Sequence, residues 1–184
     1  MNTKDLTYIA LFAAIYAVLS LFPSIHLPFL LGVPITAQSM APMLSGSILG
    51  AKRGALASLL FLVLIAIGLP LLPGGRGGIS VFSGVTSGYL ISFPFAAFFI
   101  GFMVELFWKR LNFIILFLIN MVGGIGIVYS FGIPWVAYMT QASLLTVLIS
   151  SLGLLIGAFI KVLIASFVAL TIKKNIPLIH SKTG

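Results

Sequence analysis

The chain has 184 residues, of which 61% are hydrophobic and 7% charged, with ten Lys and Arg against two acids and a net charge of +8. A soluble domain carries about 25% charged residues to clothe its core, so this chain must turn its outside to lipid, and its mean hydropathy of +1.27 agrees. Nucleic-acid binding is not expected, because it needs a basic face on a water-exposed fold and the cations here stand mostly in pairs between apolar runs. The absence of Cys removes disulfides and thiolate chemistry.

A membrane-crossing helix needs about 20 mostly apolar residues, and six such segments are predicted, making an all-α membrane protein. The first, Leu6–Phe22, follows Lys4. It is followed by Pro23-Ser24-Ile25-His26 rather than by a small-x-small cleavage site, so it is expected to be retained rather than removed as a signal peptide. Its Ala10, Ala13, Ala14 and Ala17 form two overlapping small-x-x-x-small pairs, a spacing that lets helices approach closely in lipid. This stripe is a candidate docking face for a partner helix, with internal packing as the alternative. The second segment, Val33–Ala51, contains Pro34, Thr36, Gln38, Ser39 and Pro42 and is expected to be bent or partly unwound. Its Gly46-x-x-x-Gly50 is expected to pack within the chain.

The third segment, Gly54–Leu72, leads into the Gly-rich run that includes Gly74, Gly75, Arg76, Gly77 and Gly78, then Thr86 and Tyr89. Irregular backbone among apolar helices is tolerated where it lines a cavity. The fourth segment is Gly88–Phe107. From Leu111 to Ile160 there is no charge, yet the stretch is too long for one crossing. Pro ends helices and Trp favours the membrane interface, so the break is predicted at Gly132-Ile133-Pro134-Trp135, giving a fifth segment Asn112–Phe131 and a sixth Ser143–Ile172.

Six crossings put Lys4, Lys52, Arg53, Lys109, Arg110, Lys173, Lys174 and Lys182 on one side, with only Arg76 on the other. That bias predicts both termini in the cytoplasm. The segments leave only short loops and tails, so residues 1–184 read as a single membrane domain.

The inventory of reactive groups argues against an enzyme. Asp5 and Glu105 lie at the ends of predicted helices, and His26 and His180 fall in a loop and a tail, so no metal-ligand cluster or catalytic set can be assembled and no cofactor is implied. Gly46 to Arg53 resembles a phosphate loop superficially, but it lacks the Gly before the Lys and the Ser or Thr after it. No predicted crossing contains an acid or His in its interior to carry a coupled proton, Glu105 lying at the end of the fourth, and nothing in the chain can hydrolyse ATP. Uphill transport would therefore need energy from another machine. The one full charge deep in a crossing is Lys161, which lies about 18 Å along the last helix from Lys173 at 1.5 Å per residue. Neither acid can reach it. Insertion there costs about 2.5–3.5 kcal/mol, so Lys161 is predicted to bind an anion, with Gln38, Thr36 and Asn120 as polar helpers from other helices. Tyr89 and Trp135 offer apolar surfaces with polar tips.

Taken in order, Val33-Pro34-Ile35-Thr36-x-Gln38, Leu49-Gly50-Ala51-Lys52-Arg53-Gly54-Ala55, Ile67-Gly68-Leu69-Pro70, Gly74-Gly75-Arg76-Gly77-Gly78, Gly84-x-Thr86-x-Gly88-Tyr89-Leu90, Gly132-Ile133-Pro134-Trp135 and Lys161 resemble one family over nearly the whole chain. This is the biotin-binding S-component of energy-coupling-factor vitamin transporters, the BioY type. The resemblance implies a six-helix membrane fold that captures biotin from outside and works with two ATPases and a transmembrane coupling protein, which docks on the first-helix alanines. Together with the expectation that the Gly74–Gly78 and Thr86–Tyr89 loop covers the ligand, the candidate ligand set is Lys161, Arg76, Gln38, Thr36, Gly75, Gly77, Thr86, Tyr89, Trp135 and Asn120.

Two departures stand out. The family pattern Pro-x-Asp-x-x-Lys reads Ile156-Gly157-Ala158-Phe159-Ile160-Lys161 here, and the family loop Gly-Pro-Thr-Gly-Gly-Tyr has Val85 and Ser87. The missing acid leaves another small carboxylate vitamin, such as lipoate, as an alternative ligand. A structural or assembly protein that uses only its helix faces is the competing reading from a different class.

Overall fold

The structure, a computed structural model, describes residues 2–22 and 36–175. Val33, Pro34 and Ile35 of the first motif, His26, His180 and Lys182 lie outside the described residues. The described residues form six α-helices: α1 Thr3–Leu21, α2 Ala41–Leu49, α3 Ala51–Ala66, α4 Ser87–Leu106, α5 Phe113–Thr140 and α6 Leu144–Asn175. Four of them, α1, α4, α5 and α6, are each long and apolar enough to cross a membrane.

Polar contacts bring one set of helix ends together. Asp5 in the first turn of α1 pairs with Arg53 at the start of α3 at 2.9 Å. Glu105 at the end of α4 accepts the Ala51 backbone N–H at 2.8 Å, capping α3. Lys173 in the last turn of α6 donates to the Trp108 carbonyl at 2.8 Å and lies 4.5 Å over its ring. Lys4, Lys52, Arg53, Lys109, Arg110, Lys173 and Lys174 therefore gather at one end of the bundle. Arg76, beyond the far end of α3, is at the other. The sorting inferred from sequence is thus built into the packing.

The second segment is the least regular. A 3-10 turn, Gln38–Met40, leads into α2, whose nine residues rise only about 14 Å. At Gly50 the backbone turns through φ 86° into α3, a conformation open to Gly and closed to most other residues, and a side chain there would also meet the Glu105 carboxylate. The α-helical part of this segment is thus shorter than a hydrocarbon core of about 30 Å, and the cavity opens beside the irregular lead into it.

Below that cavity, toward the charged end, the interior is closed. Ile48, Val104, Leu116 and Ala169 join one apolar cluster. Beside it, Ser47 of α2 donates to Asn120 Oδ1 of α5 at 3.0 Å, and Asn120 Nδ2 donates to Ser166 of α6 at 3.0 Å. All three side chains are buried. Interhelical hydrogen bonds of this kind join helices where lipid supplies no hydrophobic force between them. A second cluster around Tyr16, Phe61, Phe93 and Val128 ties α1, α3, α4 and α5 together, with the Tyr16 hydroxyl 3.0 Å from the Ser45 hydroxyl.

One sequence expectation is corrected. The break placed at Gly132-Ile133-Pro134-Trp135 is instead helix, and α5 runs on through Pro134 to Thr140. A Pro inside a membrane helix is tolerated where neighbours accommodate the freed carbonyl. The turn comes at Gln141, with φ 55°, and Ser143 opens α6 by accepting the Thr146 N–H at 3.2 Å. The alanine stripe is also divided: Ala10 and Ala14 are exposed, whereas Ala13 is buried and Ala17 packs on the same core. Helix α5 contains one further irregularity, a π-helical turn over Val122–Ile127.

Candidate ligand cavity

Four elements converge on a cavity of about 680 Å³, its mouth included, in the half of the bundle away from the charged end. The unwound lead into α2 contributes Thr36, Gln38 and Ser39; α6 contributes Leu154 and Lys161; α4 contributes Tyr89, Leu90 and Phe93; α5 contributes Val128 and Tyr129. Leu72, Pro73 and Arg76 from the turn after α3, together with Thr86, complete the rim. Apolar walls with a few placed polar groups are the ordinary form of small-molecule sites.

Lys161 is the electrostatic centre. Its Nζ donates to the Ser39 hydroxyl at 2.9 Å, across from α6 to the α2 lead. Ser39 is neutral, and both acids of the chain are engaged at the charged end, Asp5 with Arg53 and Glu105 with Ala51. The ammonium thus faces the cavity with a polar partner but no countercharge. Ala158, where the family pattern has its acid, is buried three residues earlier on α6. Gln38 is 5% exposed, and its Nε2 has no acceptor among the described residues. A buried polar group without a partner is costly. Lys161 and Gln38 thus both line one cavity, the one with an ammonium that has no countercharge and the other with an amide donor that lacks an acceptor among the described residues.

Of the residues predicted from sequence, Lys161, Arg76, Gln38, Thr36, Thr86 and Tyr89 line the cavity. Arg76 is exposed at the rim, where its Nε donates to the Pro73 carbonyl at 3.2 Å within a tight turn closed by the Leu72 N–H to Arg76 carbonyl bond at 3.0 Å. Gly75 and Gly77 stand beside Arg76 without lining the cavity. Gly75 takes φ 70°, and a side chain at Gly77 would meet the Leu69 carbonyl, so both shape the turn. Trp135 acts from behind: its indole N–H donates to the Gly84 carbonyl at 2.9 Å, fixing the segment that ends at Thr86. Asn120 lies in the closed network with Ser47 and Ser166, outside the lining.

Sequence reasoning missed Ser39 and Tyr129 as lining residues. Ser39 carried a usable signal, a hydroxyl next to Gln38 in a segment already expected to unwind. Tyr129 carried none, because the π turn just before it holds one extra residue and rotates everything beyond by about 100° relative to a regular helix.

A multi-pass helical membrane protein with a walled cavity, apolar on its sides and cationic at one point, is a solute-binding membrane protein. Comparisons with known proteins resolve the class. The BioY family model matches residues 1–178. A Rhizobium etli protein named biotin transporter BioY is 39% identical over 99% of this chain and 100% of its own length. A Bacillus subtilis protein named probable biotin transporter BioY is 39% identical over 95% of this chain and 92% of its own. Among solved structures, the S-component for biotin from an ECF-type ABC transporter superposes with a TM-score of 0.89 at 34% identity, covering 95% of each chain. The chain belongs to the BioY family, and is a transport protein rather than an enzyme.

Proposed function

We propose that this chain is the substrate-capture subunit of a biotin uptake transporter in a bacterial cell membrane. It takes biotin from the outer side and delivers it inward with an ATP-driven coupling module, made of a transmembrane coupling protein and two ATPases. The observation that carries the reading is that Lys161, an ammonium with no acid beside it, and Gln38, an amide whose Nε2 lacks an acceptor among the described residues, line the same cavity. Biotin offers a carboxylate for the ammonium and a ureido carbonyl for an amide N–H. A charge-assisted hydrogen bond in a site shielded from water is the stronger kind. The apolar walls from Phe93, Val128 and Leu154 suit its fused rings and alkyl chain. The gathering of cations at the end opposite the cavity supports both termini facing the cytoplasm and the cavity facing out.

Labelled biotin added to the purified protein in detergent is expected to bind saturably and to resist competition by lipoate. No saturable binding overturns the reading, and displacement by lipoate reassigns the vitamin. For the coupling module, the exposed pair Ala10 and Ala14 is the docking candidate on α1. Replacing both with Trp is expected to abolish uptake in cells that express the module while biotin binding in detergent stays intact. Equal loss of both would make the pair a packing surface.

A further inference from the structure

Tyr89 forms one wall of the cavity, and the backbone of α5 sets how far that wall stands back. The Tyr89 ring lies flat on Gly132, so closely that a Cβ built at Gly132 would fall among the ring carbons Cε1, Cδ1 and Cζ. The ring is boxed on other sides. Tyr129, one turn before Gly132 on the same helix, meets it edge-on at 5.8 Å between centroids, with planes at 86°. Ile133, Val136 and Leu154 belong to the cluster against which it packs.

Neighbouring contacts keep α4 and α5 from parting to make room. A Cβ at Gly88 would meet the Trp135 side chain, and the Trp135 indole is held to the Gly84 carbonyl at 2.9 Å. The ring also lines the cavity. A methyl group at position 132 therefore requires a shift, and the cavity is a side on which the Tyr89 ring has room to take it.

We propose that Gly132 is a positioning residue for ligand binding: it seats Tyr89 against α5 and so sets the width of the cavity. The proposal rests on the reading of this cavity as the biotin site. Gly132 never touches the ligand, and its effect passes through the Tyr89 ring alone.

The test is a double-mutant cycle on purified protein, with labelled biotin binding and thermal unfolding as readouts. Gly132→Ala is expected to weaken biotin binding about tenfold, on the scale of overpacking a filled contact. In the Tyr89→Ala background, where the ring is gone, the same substitution is expected to change affinity by less than about twofold, as independent sites do. Equal losses in both backgrounds, or no loss in the wild-type background, overturn the proposal. If Gly132→Ala alone does not fold, the double variant is expected to recover folded protein, and its failure to do so makes Gly132 a packing residue only. A crystal structure of the apo Gly132→Ala protein reads the same point without ligand. The Tyr89 ring displaced toward Lys161 supports the proposal, and a ring left in place with α5 moved away overturns it. Wild-type protein that binds no biotin would sink the functional reading instead, while leaving this structural readout to decide the role of Gly132.

Discussion

Two buried carboxamides show how differently the halves of the bundle are built. Asn120, toward the charged end, uses both ends of its amide, accepting from Ser47 and donating to Ser166. Gln38, in the other half, is equally enclosed but leaves its Nε2 without an acceptor among the described residues. One half satisfies its polar groups internally and is a scaffold. The other holds a donor and an ammonium in reserve, and gives up part of a helix to make space for whatever answers them. A buried polar group costs free energy in proportion to what it is denied.

The largest effect is expected at Lys161. Lys161→Met should lower biotin affinity by about 2 kcal/mol or more, the loss seen when one member of a desolvated charge pair is truncated. Unfolding temperature should hold or rise, since a costly intramembrane charge is gone. Isothermal titration and thermal unfolding of the same preparation separate the two, and unchanged affinity would turn attention to Arg76 at the rim. Asn120→Leu should do the reverse. Two interhelical hydrogen bonds are lost at about 0.6 to 1.7 kcal/mol each, so the protein should unfold more readily while biotin affinity shifts by less than about twofold. A large affinity loss in well-folded Asn120→Leu protein would erase the contrast between the halves.

Gln38→Leu sharpens the comparison further. It should cost about 1 kcal/mol of affinity, as one neutral hydrogen bond does, while leaving the ligand-free protein as stable as before or more so. The smallest effect is expected for Trp135→Phe, which keeps the ring but removes the indole donor to Gly84. A weakening of affinity by about 0.5–1 kcal/mol, measured in the same titration, would reflect the loosened segment before Thr86.

Much of this was legible in the chain because the bilayer imposes local rules. The apolar lengths required six helical segments, and the partly polar composition between Thr36 and Pro42 foretold that one of them would not stay helical throughout. The distribution of Lys and Arg sorted the ends, and Lys161 stood out because a charge deep in an apolar segment is costly wherever the helix sits. What the sequence could not decide was convergence. Whether Asn120 would face the cavity or close against Ser47 and Ser166 depends on how α2, α5 and α6 pack, not on its own span. The same holds for the alanines of α1, where equal spacing hides that Ala13 and Ala17 turn inward. Pro134 misled for a related reason: its local preference to end a helix is overridden when neighbouring helices hold the segment straight. The bilayer reads each segment by its own composition, so the sequence alone marked the apolar segments. Side chains meet only after the helices have packed, so the tertiary structure alone decided that Lys161 would find Ser39, and Tyr89 would come to rest on Gly132.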